Sequence, residues 1–164
     1  MTTNAKVSDW TIPSQVSSGY YYGFSEDGWS FGRISSYQRI IFNELINDGF
    51  AVEFTLTDYG RYASNSPIVL AYFYTNGSTT PTIGVEGYVN NTASSFSIGG
   101  TIFNHNLVKG GRYRIEYTSN SLTVYCDGNL IGTVSNSVGL PTKFEVHTGT
   151  NRLYVYKDFL IELL

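Results

Sequence analysis

The stretch Gly110-Gly111-Arg112-Tyr113-Arg114-Ile115-Glu116-Tyr117, followed by Leu122-Thr123-Val124-Tyr125-Cys126-Asp127-Gly128-Asn129-Leu130-Ile131-Gly132-Thr133, decides the fold. Tyr113, Ile115 and Tyr117 alternate with Arg112, Arg114 and Glu116, the period-two pattern of a strand with one face buried. After Ser119-Asn120 the apolar row resumes at Leu122, Val124 and Cys126, and Asp127-Gly128 then supplies the positive φ angles of a tight hairpin turn. The alternation on both sides sets the register, because a slip of one residue would exchange core and solvent faces. Asp127 is accordingly read as a turn residue.

Working outward, the same pattern recurs at short intervals. Phe50, Val52, Phe54 and Leu56 alternate with Ala51, Glu53, Thr55 and Thr57, and the run Ile68 to Tyr74 lies between Pro67 and the turn signal Asn76-Gly77. Phe144 and Val146 continue the pattern after Pro141, and the run from Arg152 to Leu164 is long enough to include a bend near Lys157-Asp158. Ser94 to Gly100 and Thr101 to Asn106 read as a short strand pair. Between Ser30 and Ile46 a strand at Arg39-Ile40-Ile41-Phe42 competes with one helical turn at Phe42 to Ile46, and the strand is favoured. Short strands at this spacing, with no internal repeat and no linker, predict one all-β antiparallel sandwich domain over residues 1–164.

Composition agrees. Of 164 residues, 16% are aromatic (14 Tyr, 10 Phe, 2 Trp) and only 14% are charged, too few for long helices with charged outer faces. The net charge of -3 and the scattered basic residues leave no footprint for a phosphate backbone, so nucleic acid is excluded as a partner. No 18-residue apolar run is present and Met1 to Asp9 is polar, which argues against membrane insertion and a retained signal peptide. The polar lead into Trp10 fits a module excised from a larger protein. Cys126 has no partner cysteine, and its strand position predicts a buried, inert thiol.

The hairpin with its "Val-Tyr-x-Asp-Gly" turn, here Val124 to Gly128, resembles that of the concanavalin A-like lectin and laminin-G superfamily. The ending Tyr156-Lys157-Asp158-Phe159-Leu160-Ile161 is similar to the superfamily's last strand, which lies beside the first. The resemblance implies a two-sheet antiparallel jelly roll, whose members bind glycans, cleave them, or mediate protein contacts. It also implies that a structural calcium ion, if one is held, would take carboxylates such as Asp27 and Asp158.

Hydrolases of the superfamily carry three alternating acids on one strand, Glu-x-Asp-x-Glu or Glu-x-Asp-x-x-Glu. The nearest stretch here is Glu53-Phe54-Thr55-Leu56-Thr57-Asp58, where threonines hold the positions that share Glu53's face and Asp58 falls on the other. On this ground the chain is expected not to be an enzyme. His105 and His147 lack a Cys or carboxylate at metal-ligand spacing, so they are read as solvent-facing or hydrogen-bonded rather than zinc ligands. The remaining signal is a surplus of tyrosine and tryptophan, since aromatic faces stack on the C–H patches of sugars. Tyr21, Trp29, Tyr59 and Tyr62, with Asp58, are the expected glycan contacts, in Gly-bounded stretches. The leading expectation is a non-catalytic carbohydrate-binding module of a cell-surface adhesin or phage tail protein, attaching its parent to surface glycan. A structural domain of a fibre or virion, with tyrosines in subunit contacts of a homo-oligomer, is the alternative, and a glycoside hydrolase is third.

Overall fold

A computed structural model describes residues 49–58, 68–75, 77–87, 96–148 and 155–164, together with strand segments 2–4, 10–11, 20–25, 28–33 and 38–42. All of its regular structure is β. In chain order the strands are β1 (Thr2–Asn4), β2 (Trp10–Thr11), β3 (Tyr20–Ser25), β4 (Gly28–Arg33), β5 (Gln38–Phe42), β6 (Phe50–Asp58), β7 (Ile68–Thr75) and β8 (Ile83–Gly87). They continue as β9 (Phe96–Ile98), β10 (Thr101–Phe103), β11 (Gly111–Tyr117), β12 (Ser121–Cys126), β13 (Asn129–Ser135), β14 (Pro141–Thr148) and β15 (Val155–Leu163). The ambiguous stretch after Ser30 contains strand β5, as expected.

Two antiparallel sheets form. One has the order β13-β12-β11-β6-β15-β4-β3, with β1 also pairing β15, and the other runs β10-β9-β8-β7-β14-β5-β2. The first and last strands lie together through Thr2↔Glu162 to Asn4↔Leu160. The expected two-sheet antiparallel sandwich is thus the observed fold.

The core is what alternation dictates. Phe50, Val52, Phe54 and Leu56 of β6 and Tyr113, Ile115 and Tyr117 of β11 point inward, against Leu70, Ala71 and Phe73 of β7 and Phe96 and Ile98 of β9. Rings cross the gap between the sheets: Phe73 and Tyr117 stand 4.9 Å apart, and Phe96 stacks on Tyr113 at 6.4 Å with planes 5° apart. Such pairs contribute about 0.5–1.5 kcal/mol beyond their buried area. Buried Tyr hydroxyls need partners, and they have them: Tyr117 Oη donates to the Gly139 carbonyl at 2.7 Å, and Tyr113 Oη accepts from the Val108 amide at 2.9 Å.

Two turns anticipated from sequence take the backbone expected of them. Asp127 (φ 49°) and Gly128 (φ 78°) both occupy the left-handed region, and the Asp127 carboxylate accepts from the Arg112 amide at 2.8 Å, which ties the turn to the start of β11. The bend near Lys157-Asp158 is a bulge: the β15–β6 register shifts between Lys157 and Leu160, and Asp158 has φ 56°. The link between β7 and β8 is a longer loop, with Gly77 at φ 69° and the Ser78 amide bonded to the Thr75 carbonyl.

Candidate functional site

Each sheet presents an outer face, and the two differ in chemistry. On the seven-stranded sheet β8 carries Val85 and Gly87 inward, so Gly84 and Glu86 lie outward. Across the β7–β8 ladder Tyr72 stands opposite Gly84. A Cβ built on Gly84 would come within 2.5 Å of Tyr72 Cδ1 and Cε1, so the ring lies over the glycine and only glycine admits it there. That placement brings Tyr72 Oη to Glu86 Oε1, to which it donates a short hydrogen bond. The charge-assisted bond fixes both groups while both remain only half-buried.

Beside this pair opens a cleft of about 520 Å³, lined among others by Tyr72, Thr82, Gly84, Gly99, Ser135 and Ser137. Its volume falls within the roughly 300–1,000 Å³ of small-molecule sites. Thr82 is held by donation to the Phe73 carbonyl at 2.9 Å and acceptance from the Thr75 amide at 3.1 Å. Ser135 and Ser137, both exposed, also line it. An aromatic ring and hydroxyl-bearing residues therefore line the cleft, and the Glu86 carboxylate is tied to that ring through the Tyr72 hydroxyl. Glu145 occupies the register position opposite Tyr72 on β14.

The outer face of the eight-stranded sheet is charged. Glu53 accepts from Arg112 Nε at 2.7 Å and from Arg114 Nη1 at 3.3 Å, while Arg114 also meets Glu116 at 2.8 Å and Glu162 at 2.6 Å. Burial works to lower the Arg114 pKa, but its bonds to Glu116, Glu162 and Glu53 and the attraction of Glu162 outweigh this and raise it. Glu53 is thus a clamped ion-pair partner.

The sequence candidates distribute as follows. Tyr21 and Trp29 lie within strands β3 and β4 of the eight-stranded sheet, paired with Gly32 and Phe24, and Asp58 ends β6 in the same sheet opposite Val155. Tyr59, Tyr62 and Asp27 lie outside the described residues. The strand positions of Tyr21, Trp29 and Asp58 put none of them in the sheet that holds Tyr72 and Glu86. The backbone carbonyl of Asp158, at the β15 bulge, accepts from the Arg112 guanidinium at 2.8 Å. Among the described residues no group of three or more His, Cys, Asp or Glu could hold a metal ion.

Of the two roles expected for His105, solvent-facing or hydrogen-bonded, it takes the second: Nε2 lies 3.3 Å from Tyr113 Oη, the ring meets Phe96 edge-on, and burial lowers its pKa. The side chain of His147 lies outside the described residues. Cys126 is buried, as its strand position predicted, and burial raises its thiol pKa against an opposing bond from Tyr113.

No protein-family model matches the chain, and no curated protein is similar to it in sequence. Solved structures share its architecture. A sialidase superposes with a TM-score of 0.66 and 13% identity over 96% of this chain, which spans only 17% of that protein. A Bacillus licheniformis β-glucanase gives a TM-score of 0.60 and 13% identity, covering 98% of this chain and 94% of its own. The carbohydrate-binding module CBM66 from Bacillus subtilis gives 0.57 and 12%, covering 94% and 95%. Identities this low speak to fold alone, and the fold is the concanavalin A-like jelly roll that the hairpin implied.

The comparisons overturn the expectation that the chain is no enzyme, since the proteins that share the fold include a sialidase and a β-glucanase as well as a binding module. The missing acid pattern bears on β6 alone. Glu53 on that strand is paired with two arginines, whereas Glu86, on another strand and another sheet, bonds the hydroxyl of Tyr72, whose ring lines a cleft.

Proposed function

We propose that the chain binds carbohydrate on the outer face of its seven-stranded sheet, at Tyr72, Glu86 and the adjoining cleft. The observation that carries this reading is the Tyr72 ring, held over Gly84 with its hydroxyl on Glu86 at the edge of a hydroxyl-lined opening. A half-exposed ring offers a stacking surface for sugar C–H groups, and the second Glu86 oxygen and the serine hydroxyls offer bonds to sugar hydroxyls. The three similar structures, a sialidase, a β-glucanase and a carbohydrate-binding module, support the same ligand class. The parent protein would be displayed at a cell or virion surface, where weak sites gain from multivalency.

Calorimetric titration with a panel of cell-wall polysaccharides tests the reading. Binding that disappears in Tyr72→Ala at unchanged melting temperature supports it, and silence across the panel at millimolar ligand ends it. Turnover is measured in parallel by release of reducing ends. Retaining hydrolysis needs a second carboxyl about 5–5.5 Å from the first, and inverting hydrolysis about 6.5–9.5 Å, so Glu86→Gln and Glu145→Gln are the informative variants. A subunit-contact role has its own support in Ile102 and Leu130, apolar and about 60% exposed on edge strands β10 and β13. Light scattering that shows a stable oligomer would favour it.

A further inference from the structure

The charged face of the eight-stranded sheet contains a second cavity, of about 370 Å³, lined by Glu53, Arg112, Arg114, Glu116, Tyr125 and Gly128. It shares no lining residue with the Tyr72 cleft, which is built mainly from β7, β8 and the β9–β10 turn and reaches the eight-stranded sheet only at Ser135, the end of β13. We propose that it is a separate binding site for a neutral sugar unit presenting adjacent hydroxyls.

Charge selects the ligand class first. Two guanidinium groups and two carboxylates line the cavity and cancel, and Glu162, bonded to Arg114, adds one further negative charge to the network. An anionic ligand would meet three carboxylates, and a cation two arginines, so a neutral polar molecule fits best. Geometry selects next. Arg114 is bonded to Glu53, Glu116 and Glu162, and Arg112 to Glu53, Thr55 and the Asp158 carbonyl, so the planar groups are held in place before any ligand arrives. Such preorganisation removes most of the ordering cost of binding. Arg112 Nη2 and Tyr125 Oη nevertheless make no hydrogen bond among the described residues, which leaves donors and an acceptor for a ligand. Alternating planar donors and acceptors match the adjacent hydroxyls of a sugar ring, each of which both gives and takes a hydrogen bond.

Tyr125 supplies the stacking surface: β12 alternates without interruption, so Tyr125 turns outward between the buried Val124 and Cys126. Gly128, in the tight turn at φ 78°, lies at the cavity's rim.

The test is amide chemical-shift mapping of the labelled chain with cellotetraose, mannotetraose and a galacturonate oligomer at millimolar concentration. It is run on the wild type and on Tyr72→Ala, so that loss of the other site leaves this one readable. Shifts at Tyr125, Gly128 and Arg112 with a neutral oligosaccharide, persisting in Tyr72→Ala and about tenfold weaker in Tyr125→Ala at unchanged melting temperature, are expected. No shift there with either neutral oligosaccharide, preference for the galacturonate oligomer, or indifference to Tyr125→Ala would overturn the proposal.

Discussion

Replacing Gly84 by alanine isolates the contact that builds the Tyr72 site. The new methyl would lie 2.5 Å from Tyr72 Cδ1 and Cε1, well inside van der Waals contact, so the ring must swing off the strand. Gly84 is not in the left-handed region, and an alanine within a strand is otherwise favoured over glycine by about 0.5–1 kcal/mol. Against this stands the loss of a charge-assisted bond to Glu86, worth about 1.5–3 kcal/mol in general and taken at the low end because both groups are half-exposed. The net cost is about 1 kcal/mol, which lowers the melting temperature by about 2–4 °C in a chain of this size. Binding should suffer far more, because ring and carboxylate lose their alignment together. Calorimetric titration of Gly84→Ala beside Tyr72→Phe, which removes the hydroxyl but not the ring, separates position from hydrogen bonding. A Gly84→Ala chain that keeps full glycan affinity would refute the argument that the Tyr72 ring over Gly84 is the binding surface.

Further outcomes follow from other contacts. Tyr117→Phe removes a donor from the Gly139 carbonyl and from Asn136 inside the core, and urea unfolding should register a loss of about 1–2 kcal/mol. In Gly132→Ala the added methyl would meet the Phe103 ring at 2.2–2.6 Å, so overpacking should cost about 1–3 kcal/mol and pull β10 away from β13, read as faster amide exchange in both strands. His105 has a pKa held below its ordinary 6.5 by burial, so the unfolded chain binds the proton more readily; stability from this group is complete above 6.5 and falls as pH drops below it. His105→Asn should therefore flatten the wild-type loss of stability between neutral and mildly acidic pH, and an unchanged slope would count against the burial of the ring.

Much of the fold was legible because its determinants are local. Asp127-Gly128, the alternation from Tyr113 to Tyr117 and the bend at Lys157-Asp158 each act within a few residues, and each takes the predicted form. Tyr72 and Glu86 were hidden for a specific reason. Plain alternation through Ile68, Leu70, Tyr72 and Tyr74 assigns all four to one face, so a buried Leu70 makes Tyr72 a core residue. The β7–β8 register instead passes from Val69↔Glu86 to Ala71↔Val85, leaving Leu70 as an extra residue in a bulge. Leu70 and Ala71 are consecutively buried, the phase reverses, and Tyr72 emerges on the outer face opposite Gly84. A one-residue irregularity thus converts a core tyrosine into a surface one, with the same consequence as a register slip but confined to half a strand. The acid was invisible for a related reason. Its partner is 14 residues away in the chain and meets it only through that shifted ladder, so no spacing rule along one strand could pair Glu86 with an aromatic ring. Where a sandwich places its site on bulged strands, the reading of faces has to follow the bulge before it can follow the motif.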